Sequence, residues 1–135
     1  MTESALDSLD AQIAILGPDA TILRVNKAWR EFGAENGAET TEWVGWNYHD
    51  ECARSAATGD EDAVAITVAL AQVLRGGAEK REFAYECSSP TERRFFLMTI
   101  AAFEHDRERH ATVVHEDVTP HVMRGEISLG LGATD

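Results

Sequence analysis

The sequence has little of what several classes of protein require. Its 135 residues include two cysteines, three prolines and two lysines, and no basic run is longer than the pair Arg93-Arg94. The 24 acidic side chains outnumber the 12 basic ones, which gives a net charge of -12. A chain with this charge balance repels nucleic-acid backbones and anionic membrane surfaces, so neither is an expected partner.

Long hydrophobic runs are also missing. The longest apolar stretch, Ala63–Leu74, is shorter than the roughly 18 residues of a membrane-spanning helix and includes two polar side chains. The N-terminal segment carries acidic side chains where a signal peptide would have a basic start and an apolar core. We therefore expect a cytoplasmic protein in which Cys52 and Cys87 are free thiols.

The apolar residues that are present suffice for one folded domain. They make up 44% of the chain, and a chain of 135 residues can bury a core without disulfides or a structural metal. Near the N-terminus, Ala11–Leu16 and Thr21–Val25 flank the turn sequence GPDA, which is typical of two strands in a hairpin. Asn26 is placed to cap a helix that ends before Asn36-Gly37.

Two more helices are predicted in the middle of the chain. Tyr48–Ala57 has enough alanine and charge for one or two helical turns. The segment that starts at Asp60 opens with acidic residues and closes at Gly76-Gly77, as a stable helix should. Its predicted apolar face consists of Ile66, Leu70, Val73 and Leu74.

Alternation with period two appears in the C-terminal half. Lys80–Ser88 has one apolar face and one wet face, whereas Arg93–Phe103 is apolar on both faces. A polar loop over His105–Arg109 then leads to a last strand over His110–Asp117. The predicted order is ββααβββ, an α+β fold with helices packed on one face of a five-stranded antiparallel sheet.

The second apolar face of the sheet also needs a cover. One candidate is the N-terminal segment, in which Ala5, Leu6 and Leu9 form a small apolar stripe. The other is the same face of a second copy of the chain. The second alternative predicts a homodimer.

Several segments in order carry a family resemblance. They are the opening IAILGPDATILRVNKAWREF, the GWNY segment before the short central helix, the strands containing ECSSP and RRFFLMTI, and the closing VVHEDVT with its Asp-x-Thr ending. Together, from Leu9 to Thr119, they resemble a PAS domain, a sensory module of bacterial and archaeal signalling proteins. The resemblance implies an N-terminal cap segment over 1–10, a PAS domain over 11–119, and the start of a signalling helix or tail over 120–135.

The resemblance also bears on cofactors. PAS domains that form a flavin–cysteine adduct carry Gly-x-Asn-Cys, but here Tyr48 follows Gly45-Trp46-Asn47 in place of the cysteine. PAS domains that bind b-type haem usually take a histidine from the long helix, and the segment from Asp60 to Gly77 has none. Both cofactors are therefore disfavoured, and the identity of any cofactor is unknown.

A pocket between sheet and helices is the place where a PAS domain holds a small ligand. Large side chains on the elements that would line it are candidates for ligand contact, and the alternative is that they fill a solid core. These candidates are Trp29, Trp46, Tyr48, Ile66, Leu70, Tyr85 and Met98.

The end of the last strand carries the candidates for signal relay. Thr119 is placed to cap a following helix, and Asp117 is placed to pair with a basic side chain there, for which Arg124 is the candidate. A plain helix cap is the alternative. The expected recipient is an output module such as a histidine kinase, a cyclase or a receptor.

The sequence thus predicts a sensory or dimerisation domain with no catalytic residues. The alternative function is a small enzyme on a cone-shaped α+β fold, with His and Asp as acid and base. No metal site is expected, because the clusters around His49 and His115 lack the paired spacing that zinc sites show.

Overall fold

The computed structural model describes residues 2–35, 43–86 and 90–125. These residues form one antiparallel sheet with the spatial order β2-β1-β5-β4-β3. The strands are β1 (Gln12–Leu16), β2 (Ile22–Val25), β3 (Lys80–Glu86), β4 (Phe95–His105) and β5 (Glu108–Asp117). The helices are α1 (Thr2–Asp7), α2 (Lys27–Glu35), α3 (Tyr48–Ala57), α4 (Glu61–Leu74) and α5 (Thr119–Met123).

This architecture confirms the predicted α+β fold with a five-stranded antiparallel sheet. Three helices, α2 to α4, separate β2 from β3, one more than the order ββααβββ counts. No helix within the described ranges is long and apolar enough to cross a membrane.

The fully buried Asn26 joins the first hairpin to α2. Its side-chain oxygen accepts hydrogen bonds from the backbone N–H groups of Ile13 (2.9 Å) and Trp29 (3.1 Å), so it caps α2 as expected. Its amide nitrogen donates to the carbonyls of Leu6 (3.0 Å) and Ala11 (2.8 Å). One side chain therefore satisfies backbone groups of three chain segments.

The two central helices begin at side-chain caps. Asn47 accepts a hydrogen bond from the Asp50 N–H (2.9 Å) at the start of α3, and Asp60 accepts one from the Ala63 N–H (3.2 Å) at the start of α4. On the predicted apolar face of α4, Leu70 and Val73 are buried, whereas Ile66 and Leu74 are half-buried.

The main core lies between α4, α2 and the inner face of the sheet. Because β-strand side chains alternate, the register places every second residue of each strand on this face. The largest buried members from the sheet and helices include Leu16, Ile22, Trp29, Leu70, Phe83, Met98, Ile100 and Val113.

The last hairpin is tighter than predicted. The sequence predicts a polar loop over His105–Arg109, but β4 and β5 continue to a two-residue turn at Asp106 and Arg107. Both residues have positive φ, at 52° and 64°, as a type I′ turn requires.

The outer face of the sheet carries half-buried aliphatic side chains, including Ile15, Leu97 and Val114. The N-terminal segment was one of its two candidate covers. Helix α1 packs at the start of α2, where the Asp7 carboxylate accepts a hydrogen bond from the Lys27 N–H (2.7 Å), and Leu9 is 50% exposed. Much of the apolar stripe predicted for the N-terminal segment is therefore exposed to solvent.

Candidate functional site

A cleft of about 410 Å³ opens between α3, α4 and the ends of β3 and β5. Its walls combine apolar, aromatic and acidic side chains from four elements. They are Tyr48, Glu51, Cys52 and Ser55 of α3, Asp60, Asp62, Ala63 and Ile66 at the start of α4, Tyr85 and Glu86 of β3, and His115 of β5.

Tyr85 and His115 form a hydrogen-bonded pair in this cleft. The tyrosine hydroxyl lies 2.6 Å from Nδ1 of the histidine. The two residues come from strands on either side of β4, and the register with Phe96 and Met98 places both on the inner face. Strand alternation therefore aims both side chains at the helices.

The imidazole of His115 is neutral at physiological pH. It lies deep in the fold, with the indole of Trp29 edge-on at 5.5 Å between ring centroids, and burial lowers its pKa to about 4. The residue is nevertheless only half-buried. His115 is one of the residues that line the cleft.

Tyr48 and Cys52 stand one turn apart on α3 and are hydrogen-bond partners. Burial raises the pKa of the Tyr48 hydroxyl well above its usual value and that of the Cys52 thiol to about 11. The charges of Glu51 and Asp60 also raise the thiol pKa, against the opposing effect of the Tyr48 hydrogen bond. Cys52 is therefore protonated and unreactive at neutral pH.

The position of Tyr48 is fixed by the first hairpin. Its N–H donates to the Ala20 carbonyl (2.9 Å), while the Asn47 side chain donates to the Asp19 carbonyl (2.8 Å). The start of α3 is thus tied to the turn between β1 and β2, and this tie directs the first side chain of the helix into the cleft.

Four carboxylates surround the cleft, and two of them have cationic partners. Glu51 pairs with Arg54 at 2.6 Å, and Glu86 pairs with Arg93 at 3.4 Å. Neither arginine lines the cleft. These pairs lie at the surface, where ion pairs contribute little stability but still neutralise part of the local charge.

The other two carboxylates, Asp60 and Asp62, differ from each other in their surroundings. Asp60 caps α4. Asp62 is half-buried, and no side chain in the described part of the chain forms an ion pair or hydrogen bond with it. Burial, together with the charges of Asp60 and Glu61, raises the pKa of its carboxyl.

Three of the seven predicted pocket residues line this cleft. Tyr48 and Ile66 come from the helices and Tyr85 comes from the sheet. The structure thus brings together candidates that lie far apart in the sequence.

The other four candidates lie elsewhere. Trp29 packs edge-on against the ring of His115. Leu70 and Met98 are fully buried core residues. Trp46 is 42% exposed and lies outside the cleft, with its ring 6.2 Å from that of Trp43.

His115, Cys52 and Asp62 also line the cleft but are not among the pocket residues predicted from the sequence. Period-two spacing from Val113 places His115 on the inner face, and this signal was available in the sequence. Asp62 gave no such signal, because an acidic residue in the first turn of a helix is expected from the helix dipole alone.

The relay candidates are close together but do not form the expected ion pair. The Asp117 carboxylate accepts a hydrogen bond from the Thr119 N–H (2.9 Å), and Thr119 Oγ1 accepts one from the Phe95 N–H (2.9 Å). Arg124 instead contacts the ring of His121 at 3.2 Å. Asp117 is therefore engaged in a local turn. The Thr119 side chain connects α5 to β4 and does not cap α5.

No three His, Cys, Asp or Glu side chains converge on a possible metal site within the described ranges. His49 lines a second, smaller cleft of about 250 Å³ near the first hairpin. The polar groups of Asp19 and Asn47 there are already engaged in turn and cap hydrogen bonds. Cys87 lies outside the described residues.

Comparison with known proteins gives a family match over most of the chain. The sequence profile described as PAS fold matches residues 6–122. An uncharacterized 104.1 kDa protein in the hypE 3′ region of Rhodobacter capsulatus is 31% identical over 124 residues, which cover 88% of this chain. The chain spans only 13% of that relative.

Solved PAS structures share the fold at low sequence identity. A PAS domain from a two-component sensor histidine kinase has a TM-score of 0.52 and 16% identity, covering 86% of this chain and 92% of its own. The PAS domain of Bordetella pertussis BvgS has a TM-score of 0.56 and 14% identity, with coverages of 92% and 90%. The phage VqmA–DPO complex has a TM-score of 0.58 and 15% identity, with coverages of 91% and 54%.

Proposed function

Because the chain belongs to the PAS-fold family of sensory signalling modules, we propose that it senses a small, partly apolar ligand in the cleft between α3, α4, β3 and β5. The observation that carries this proposal is the neutral Tyr85–His115 pair in a cleft that also has apolar walls at Ala63 and Ile66. Ligand sites in proteins combine such apolar walls with a few placed polar groups.

The same cleft lacks the arrangement that acid–base catalysis needs. The described partner of the His115 ring is a tyrosine hydroxyl and not a carboxylate, and the low pKa of His115 makes it a weak base. Asp60 is engaged as a helix cap, and the Cys52 thiol is protonated. These features favour binding over the enzymatic alternative.

The wider function is proposed to be signal relay in the cytoplasm. The half-buried aliphatic side chains on the outer face of the sheet are suited to pairing with a second copy of the chain. The hydrogen bond between Thr119 and Phe95 ties α5 to β4, so a change in the sheet can reach a following output module through this helix. A histidine kinase, a cyclase or a receptor would serve as that module.

Filling the cleft tests the sensory proposal. The substitution Ile66→Trp places a large side chain in the cleft, whereas Val68→Trp adds the same side chain to an exposed position of α4. Wild type and both variants are incubated with a small-molecule extract of the source cells and compared by native mass spectrometry. We expect wild type and V68W, but not I66W, to carry a bound small molecule.

Two results would contradict the proposal. One is an I66W variant that is folded and carries the same bound mass as wild type. The other is a wild-type protein that carries no small molecule after incubation with the extract.

A further inference from the structure

The charged side chains that line the cleft in the described part of the chain are all negative. In the part of the chain that the structure describes, the lining residues include four carboxylates and no lysine or arginine. Arg54 and Arg93 compensate two of the carboxylates from outside, and Asp62 remains without a cationic partner. An anionic ligand would therefore meet uncompensated repulsion in this cleft, whereas a cationic ligand would meet a counter-ion.

His115 supplies a second, independent feature that points to a ligand. Its Nδ1 is occupied by the Tyr85 hydroxyl at 2.6 Å, while its other ring nitrogen has no partner among the described residues. When Nδ1–H donates to the tyrosine, the neutral imidazole presents Nε2 as an acceptor. In this tautomer a ligand N–H group is a suitable donor to Nε2.

The aromatic walls of the cleft suit the same kind of ligand. Tyr48 and Tyr85 both line it, and the negative face of a phenol ring attracts a cation. Ala63 and Ile66 provide the apolar surface that an uncharged ligand body would cover.

We propose that the cleft selects a small organic cation, a protonated amine on a compact apolar body, which contacts Asp62 with its charge and the Tyr85–His115 pair with an N–H group. The inference rests on the proposed sensory function and specifies its ligand class. A metal cation does not fit, because no three metal-ligating side chains converge in the described ranges.

Three probes of nearly equal size and different charge test this selection. They are phenethylamine, which is a cation at neutral pH, the neutral phenethyl alcohol, and the anion phenylacetate. Binding to the full chain is measured by calorimetry and by NMR of the His115 ring. We expect phenethylamine to bind at least about tenfold more tightly than phenylacetate, with the alcohol between them.

Two charge-neutralising variants distinguish a direct contact between the ligand and Asp62 from the general attraction of a cation to an acidic protein. Asp62→Asn removes a carboxylate that lines the cleft, and Glu61→Gln removes an exposed neighbour on the same helix that does not line it. D62N should remove most of the preference for the amine over the alcohol. E61Q should leave that preference nearly unchanged, although both variants lose one negative charge.

The outcomes distinguish this inference from the function on which it rests. If phenylacetate or the alcohol binds as tightly as the amine, or if D62N and E61Q weaken the amine equally, the assignment of a cation is overturned and a ligand cleft remains. If no probe binds and I66W still carries the same bound mass as wild type, the sensory cleft is overturned as well.

Discussion

Three ionisable side chains of the cleft, those of His115, Cys52 and Tyr48, are uncharged at neutral pH. Burial lowers the pKa of His115 to about 4 and raises that of Cys52 to about 11, and the pKa of Tyr48 is raised for the same reason. At neutral pH the imidazole, thiol and phenol are therefore neutral hydrogen-bonding groups. The charge of the cleft comes from carboxylates such as Asp62.

The low pKa of His115 predicts a pH dependence of stability. Since the folded pKa of about 4 lies below the unfolded value of 6.5, the unfolded chain binds this proton more readily. The contribution of His115 is complete above about pH 6.5 and is lost as the pH falls toward 4. Between about pH 7.5 and 5, wild type should lose about 2 kcal/mol more unfolding free energy than His115→Gln.

Urea unfolding of both proteins at the two pH values measures this difference. Other groups titrate in both proteins, so subtracting the H115Q loss isolates the histidine. Equal losses in wild type and H115Q would show that His115 is not buried in its neutral form.

At the scale of elements, local patterns predicted the helices and strands better than they predicted the cleft. The acidic start at Asp60 and the stop at Gly76-Gly77 depend on nearby residues, and α4 has the expected place in the chain. The neighbours Trp46 and Tyr48 were equal candidates for the pocket. Backbone hydrogen bonds join both residues to the first hairpin, from the Ile22 N–H to the Trp46 carbonyl and from the Tyr48 N–H to the Ala20 carbonyl, and these long-range contacts accompany an arrangement in which Tyr48 lines the cleft and Trp46 does not.

The junction of the first hairpin and α2 depends on Asn26 more than a helix cap usually does. Replacing Asn26 by Ala removes one hydrogen bond from each of four backbone groups, two N–H groups and two carbonyls, of which the Leu6 carbonyl keeps the Leu9 N–H. We expect N26A to lower the unfolding free energy by about 3 kcal/mol. Denaturant unfolding monitored by circular dichroism measures the change.

Asn47→Ala is the matched control, because Asn47 caps α3 from a half-buried position and forms two hydrogen bonds where Asn26 forms four. N47A should cost about 1 kcal/mol, as cap deletions typically do. Comparable losses in N26A and N47A would contradict the role of Asn26 as a buried junction.

At the scale of the whole molecule, the two faces of the sheet have different surroundings. The inner face carries the core and one wall of the cleft, and the outer face leaves aliphatic side chains half-buried. The net charge of -12 keeps nonspecific partners with anionic surfaces away. It does not determine which face binds a second copy, so sequence composition alone cannot assign the interface.

Pairing through the outer face predicts a specific loss of the dimer. Leu97→Glu places a charge in the middle of that face, whereas Val68→Glu places one on the exposed side of α4. Light scattering at tens of micromolar protein should show dimers for wild type and V68E and monomers for L97E, with unchanged circular dichroism. A monomeric wild type, or a dimeric L97E, would contradict this interface.

The nitrogen NMR spectrum of the His115 ring is the most direct test of ligand binding in the cleft, because this ring belongs to the sheet and lines the cleft. Spectra are recorded with and without a small-molecule extract of the source cells, for wild type and for Ile66→Trp. We expect the Nε2 resonance of wild type to shift when a small molecule binds and the same resonance of I66W to stay unchanged. A bound small molecule that leaves both His115 resonances unchanged in wild type would contradict this expectation.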